Sequence, residues 1–123
     1  MITRLESRTG LGIPDCLIGF GPLNPGFAML ELKVVKGGRK VRLSPHQVVF
    51  NVKHASIGCP VFILVQIFKN ELSTPNESSI SLFQGSQASE LAIKGLETTP
   101  IASFLTKNTD WDVIKAHLMA NLL

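Results

Sequence analysis

Phe27-Ala28-Met29-Leu30-Glu31-Leu32-Lys33-Val34-Val35 is the stretch whose reading decides the fold. It is apolar apart from two charges, contains neither Gly nor Pro, and closes on two β-branched valines, so it reads as a strand. In a strand, residues i and i+2 share a face. Glu31 and Lys33 therefore point the same way, with Phe27 and Met29, while Leu30, Leu32 and Val34 fill the other side. Both faces read as covered. Ionised groups in such a place are costly unless they are paired or hold a metal.

Working outward, Asp15-Cys16-Leu17-Ile18-Gly19-Phe20 reads as a preceding strand. Gly21-Pro22-Leu23-Asn24-Pro25-Gly26 is dense in turn formers, which makes the two strands antiparallel neighbours. Residues 3–8 suit a short helix cut off by Gly10 and Gly12. After the long strand, Lys36-Gly37-Gly38-Arg39-Lys40-Val41-Arg42 reads as a basic, flexible loop. A helix follows, with Ser44 as N-cap, Pro45 in the first helical position, Val48, Val49, Val52 and Ala55 as its apolar face, and Gly58 as its end.

Pro60-Val61-Phe62-Ile63-Leu64-Val65-Gln66-Ile67 fits a central strand covered on both faces. Residues 70–79 read as a polar loop, 80–83 as a short strand and 86–94 as a short helix stopped by Gly95. Thr109 and Asp112 suggest a capping box for a last helix from Trp111 to about Leu122, with Trp111, Ile114, Leu118 and Leu122 at helical spacing. The predicted class is α/β or α+β, a mixed central sheet flanked by helices.

The chain has 123 residues, which fits one domain over residues 1–123. It is 45% hydrophobic and 17% charged, a composition that excludes disorder. A mean hydropathy of +0.26 points to apolar surface hidden in an oligomer. Net charge is +3 and the isoelectric point is about 9.1, compatible with a polyanionic partner. Cys16 and Cys59 lie in apolar stretches and read as buried thiols, with a disulfide as the lesser alternative. His46, His54 and His117 are scattered, so no zinc spacing is present. No apolar signal region opens the chain, and residues 57–68 are too short and interrupted to span a membrane. A cytoplasmic protein is the expectation.

Alone, Asp15 is an ordinary turn aspartate, and Glu31 with Lys33 an ordinary salt pair on a half-exposed strand. Together they suggest more. Neighbouring strands bring Asp15 and Glu31 side by side, where two like charges repel unless a divalent cation sits between them. Hard oxygen ligands suit Mg²⁺ or Mn²⁺, and the Leu32 backbone carbonyl offers a further oxygen. Lys33 would stand beside the reacting phosphate and offset developing negative charge. Such a set suits metal-assisted hydrolysis of a phosphodiester. The basic residues Lys36, Arg39, Lys40 and Arg42 suit contacts to a phosphate backbone. Trp111 reads as core or dimer interface rather than a base-stacking platform.

Pro14-Asp15 followed by Glu31-Leu32-Lys33 resembles the PD-(D/E)XK nuclease superfamily, and the chain looks most like its small stand-alone VRR-NUC nucleases of phage and bacterial origin. The residues that carry the resemblance are Arg4-Leu5-Glu6, Gly10-Leu11-Gly12-Ile13-Pro14-Asp15, Glu31-Leu32-Lys33 and Arg42-Leu43-Ser44-Pro45-His46-Gln47. Their order and spacing make the set specific. The resemblance implies a restriction-endonuclease-like core, dependence on Mg²⁺ or Mn²⁺, and endonuclease activity on DNA. It implies that Asp15 and Glu31 are metal ligands, that Lys33 is the catalytic lysine, and that Gln47 and Glu6 match the motif glutamine and leading acid. The 14 residues through Pro14 form a shorter lead than many relatives have, so Glu6 would act in its own site or across a dimer.

Related small members act as homodimers on branched DNA such as four-way junctions. A branched-DNA endonuclease, dimeric and in the host cytosol if phage-encoded, is therefore the leading expectation. The alternatives are a nicking, repair or homing-type endonuclease of the same fold, a non-catalytic nucleic-acid-binding module, and an unrelated α/β subunit with a chance motif.

Overall fold

The computed structural model describes residues 2–4, 14–20 and 26–122. Among them six strands form one sheet in chain order: β1 (Ile2–Arg4), β2 (Cys16–Gly19), β3 (Phe27–Lys36), β4 (Val61–Phe68), β5 (Ser79–Gln84) and β6 (Ala102–Leu105). β3 and β4 are parallel, and every other neighbouring pair is antiparallel. Parallel neighbours need a long crossover. Here it contains α1 (Pro45–Ser56). α2 (Ala88–Lys94) follows β5, and α3 (Trp111–Ala120) follows β6. The fold is a mixed sheet flanked by helices, as the sequence indicated.

The strand alternation builds two cores. On one face Ile18, Ala28, Leu30, Phe62, Leu64 and Leu82 pack under Ile114 and Leu118 of α3. On the other, Val35, Ile63, Val65 and Phe83 pack with Val41 and with Ala88 and Leu91 of α2, and Val48 of α1 closes over them. β4 lies between β3 and β5 with Val61–Val65 buried, which accounts for its unbroken apolar run.

Several expectations are corrected. Ile2–Arg4 is a strand on β2, with Thr3 opposite Leu17, where a helix beginning at residue 3 was expected. β-branched Ile2 and Thr3 suit that pairing, and pairing overrides a weak local helical preference. Residues 5–13, with Glu6, Gly12 and Ile13 among them, lie outside the described residues, as do residues 21–25 of the expected turn.

In α1 the buried side chain is Asn51, whereas Val49 and Val52 are exposed, so the inward stripe runs through Val48 and Asn51 rather than through the valines at 49 and 52. Leu32 and Val34 are also exposed, so the side of β3 away from α1 is not fully covered. β6 had no sequence expectation. It is four residues long and pairs with β5 alone, too short for alternation to identify. α3 is capped by Asp110, whose side chain accepts from the Val113 N–H. Thr109 does not cap it. Its hydroxyl donates to the Leu105 carbonyl.

The basic loop is tied to the rest of the fold at two points. Gly37 and Gly38 take positive φ angles of 81° and 73° to turn it out of β3. Val41 is buried in the second core, and the Leu96 N–H donates to the Arg39 carbonyl at 2.8 Å. The loop is docked against the segment that follows α2. Neither Cys16 nor Cys59 forms a disulfide; Cys16 is buried and Cys59 only half-buried. Among the described residues no helix is long and apolar enough to cross a membrane.

Candidate active site

β2 pairs with β3 only as far as Cys16 opposite Leu30. One residue further along, Asp15 has left the ladder and turns its carboxylate back to the strand edge. Its Oδ2 accepts the Leu32 N–H at 2.9 Å. The N–H and carbonyl of one strand residue face the same neighbour. Met29 donates to Pro60 on the β4 side, so Leu32, an odd number of residues along, presents its carbonyl to the β2 side with its N–H. Asp15 and the Leu32 carbonyl therefore meet at the fork where β2 departs.

Glu31 stands beside this fork. It is only 1% exposed, and its Oε1 has no hydrogen-bond partner among the described residues. Its carboxyl lies in hydrogen-bonding contact with that of Asp15. Burial, then the Asp15 hydrogen bond and the Asp15 charge, push the Glu31 pKa up to about 8, against opposing pulls from Lys33 and the Leu32 N–H.

Lys33 shares the Glu31 face. Its Nζ donates to Gln47 Oε1 at 3.0 Å. The same oxygen accepts the Ser44 N–H at 2.9 Å, and the Gln47 N–H donates to Ser44 Oγ at 3.1 Å. The capping box at the start of α1 thus fixes the glutamine that holds the lysine. Asn51, which the sequence reading missed, donates from Nδ2 to the Gln47 carbonyl at 2.8 Å and is fully buried. Its signal is a polar residue four places after Gln47 on the inward stripe of the helix.

The donor set fits a divalent cation. The Asp15 and Glu31 carboxyls stand together beside the Leu32 backbone, and one buried carboxylate oxygen lacks a partner among the described residues. Among the described residues no three or more His, Cys, Asp and Glu side chains gather in a metal-holding group. Mg²⁺ needs no such group, because it is commonly held by one or two carboxylates and keeps several waters.

The basic residues have separate surroundings. Lys36 Nζ sits 5.7 Å from the centre of the Phe68 ring, a cation–π distance. Arg39 pairs with Glu97 at 3.0 Å, both side chains well exposed, so the pair is weak. Lys40 and Arg42 are exposed.

Comparison with known proteins found no matching family model, no matching curated protein and no matching solved structure.

Proposed function

We propose that this chain is a metal-dependent DNA endonuclease with a restriction-endonuclease-like core. The observation that carries this reading is the buried carboxyl of Glu31, in contact with Asp15, holding an oxygen without a partner among the described residues on the face where Lys33 also projects. A salt pair kept for structure would bring Lys33 onto Glu31. Instead the lysine is held by the neutral Gln47, which leaves its charge available to a phosphate.

Asp15 and Glu31, with the Leu32 carbonyl, would hold Mg²⁺ or Mn²⁺. The ion supplies Lewis-acid polarisation of the phosphate and a more acidic attacking water. Lys33, steadied by Gln47, offsets charge that develops on the phosphoryl oxygens. Asp15 is oriented by the Leu32 N–H, which would leave its second oxygen for the ion. Lys36, Lys40 and Arg42 supply contacts to the DNA backbone away from the reacting bond, and Arg39 can exchange Glu97 for a phosphate.

Branched DNA is the proposed substrate, cut by a two-fold dimer. Exposed apolar side chains on α1 (Val49), just after it (Ile57) and on α2 (Ile93) are consistent with such a partner surface. The test is a cleavage panel of duplex, single strand, flap and four-way junction, each with Mg²⁺, Mn²⁺ and a chelator. Metal-dependent cutting that favours the junction is expected. Intact DNA in every lane with both metals overturns the reading.

A further inference from the structure

Asn51 is fully buried on the inward side of α1, where Val48 packs against the second core. Asparagine is costly in such a place. It disfavours helix interiors, and burial strips its amide of water. Only half of that amide is satisfied. Nδ2 donates to the Gln47 carbonyl at 2.8 Å, while Oδ1 has no partner among the described residues. An apolar side chain of the same shape would avoid that cost. Residues that break a local rule at the expense of stability gather where function needs them.

The one bond the amide makes is aimed at the candidate site. In an α-helix the carbonyl of residue 47 already accepts the N–H of residue 51, so the Asn51 side chain adds a second bond to the same oxygen. Residue 47 lies in the first turn, and helix ends fray. The second bond pins the turn whose side chain reaches the lysine: Gln47 Oε1 accepts the Lys33 ammonium at 3.0 Å and the Ser44 N–H at 2.9 Å. Asn51 is itself held. A Cβ on Gly85 would come within 3.0 Å of the Asn51 carbonyl oxygen, so the helix backbone lies directly against the segment that follows β5. Lys33 of β3 is thus tied, through Gln47 and Asn51, to the end of a strand on the far side of β4.

We infer that Asn51 is a positioning residue for Lys33: its carboxamide holds Gln47 so that Gln47 Oε1 grips the lysine in one place. The inference rests on the endonuclease reading for what the lysine does, and on the hydrogen bonds above for how it is held.

A threonine and valine pair isolates the donor. Both are β-branched and alike in shape, but a threonine hydroxyl in a helix donates to the carbonyl four residues back and valine cannot. Asn51→Val buries no polar side-chain atom and should melt no lower than Asn51→Thr. Single-turnover cleavage is measured with Mg²⁺ on the DNA that the panel shows to be cut. Asn51→Val should be about tenfold slower than the wild type, and Asn51→Thr within about threefold of it. In the Lys33→Ala background the two should cut at equal residual rates, because the group they act through is gone. A purely structural role orders the pair the other way, since rate then follows stability. Asn51→Ala and Asn51→Ser repeat the comparison if the branched pair does not fold.

The hold on the lysine is also read without cleavage. In chain carrying isotope-labelled lysine, the Lys33 Cε resonance, assigned by its absence from Lys33→Ala, should move in Asn51→Val and keep its place in Asn51→Thr. If the wild type cuts DNA and Asn51→Val cuts as fast as Asn51→Thr, the inference falls and the endonuclease reading stands. If nothing is cut but the resonance moves in Asn51→Val alone, the hold of Asn51 on Lys33 stands and the endonuclease reading falls. If nothing is cut and the resonance is the same in both variants, both fall.

Discussion

The Lys33 ammonium donates to the side-chain oxygen of Gln47 at 3.0 Å, and that oxygen is also the acceptor that closes the capping box with Ser44. The start of the crossover helix and the orientation of the candidate catalytic lysine therefore depend on one atom. Gln47→Ala should cost roughly 1 kcal/mol of stability through the lost cap and lower cleavage about tenfold. Gln47→Glu keeps the acceptor and should retain the stability. Thermal melts beside single-turnover cleavage check both. Destabilisation with unchanged cleavage would reduce Gln47 to a cap.

Lys33→Ala should lower cleavage by on the order of 100-fold or more while the chain still folds and binds metal. Gln47 Oε1 keeps its Ser44 donor in that variant, so no buried acceptor is stranded. Asp15→Asn keeps an acceptor for the Leu32 N–H but removes a charge, and should lose both cleavage and metal affinity. Calorimetric metal titration, DNA binding and cleavage are measured together. Normal cutting by Lys33→Ala in either metal would remove Lys33 from the reaction.

Glu31 gives the metal-free protein a characteristic pH dependence. Its pKa is 4.5 in the unfolded chain and about 8 in the folded one. Between those values the folded state holds a proton that the unfolded state has released, so stability falls as pH rises through that window. The slope is at most about 1.4 kcal/mol per pH unit. Below the window the contribution is fully present; above it, it is lost. Glu31→Gln should flatten the profile, and saturating Mg²⁺ should restore stability at the alkaline end by binding the ionised carboxylate. Melting temperatures across the window, with and without Mg²⁺, decide the matter. A wild-type profile that rises across it contradicts the assignment.

Gly95 ties the basic loop to the end of α2. Its φ is +59°, and a Cβ there would lie 2.0 Å from the Arg39 carbonyl oxygen. Gly95→Ala should destabilise the chain by about 2 kcal/mol, through the strained φ and the backbone clash, and free residues 39–42. Hydrogen exchange at the Leu96 amide, which donates to Arg39, should quicken first. Unchanged protection there would show that the loop is held by Val41 alone.

The sequence determined the elements with strong local grammar. Phe27–Lys36 and Val61–Phe68 are mostly apolar stretches free of Gly and Pro, and α1 begins where Ser44, Pro45 and Gln47 say it should. Strand alternation alone placed Glu31 and Lys33 on one face. Other features depend on contacts between segments far apart in the chain. Ile2–Arg4 is a strand because β2 offers a ladder, and Val49 faces solvent because Asn51 turns inward. Lys33 meets Gln47 only because α1 crosses back over β3 to reach β4.

The electrostatic character of Glu31 is likewise tertiary. No local pattern reveals that one of its oxygens is buried without a partner among the described residues, since that follows from the depth of the surrounding core. Local preference and periodicity fix which residues can form an element and which way they point. Register, burial and the convergence of distant side chains are set by packing the whole sheet, because each depends on free energy that exists only once the elements meet.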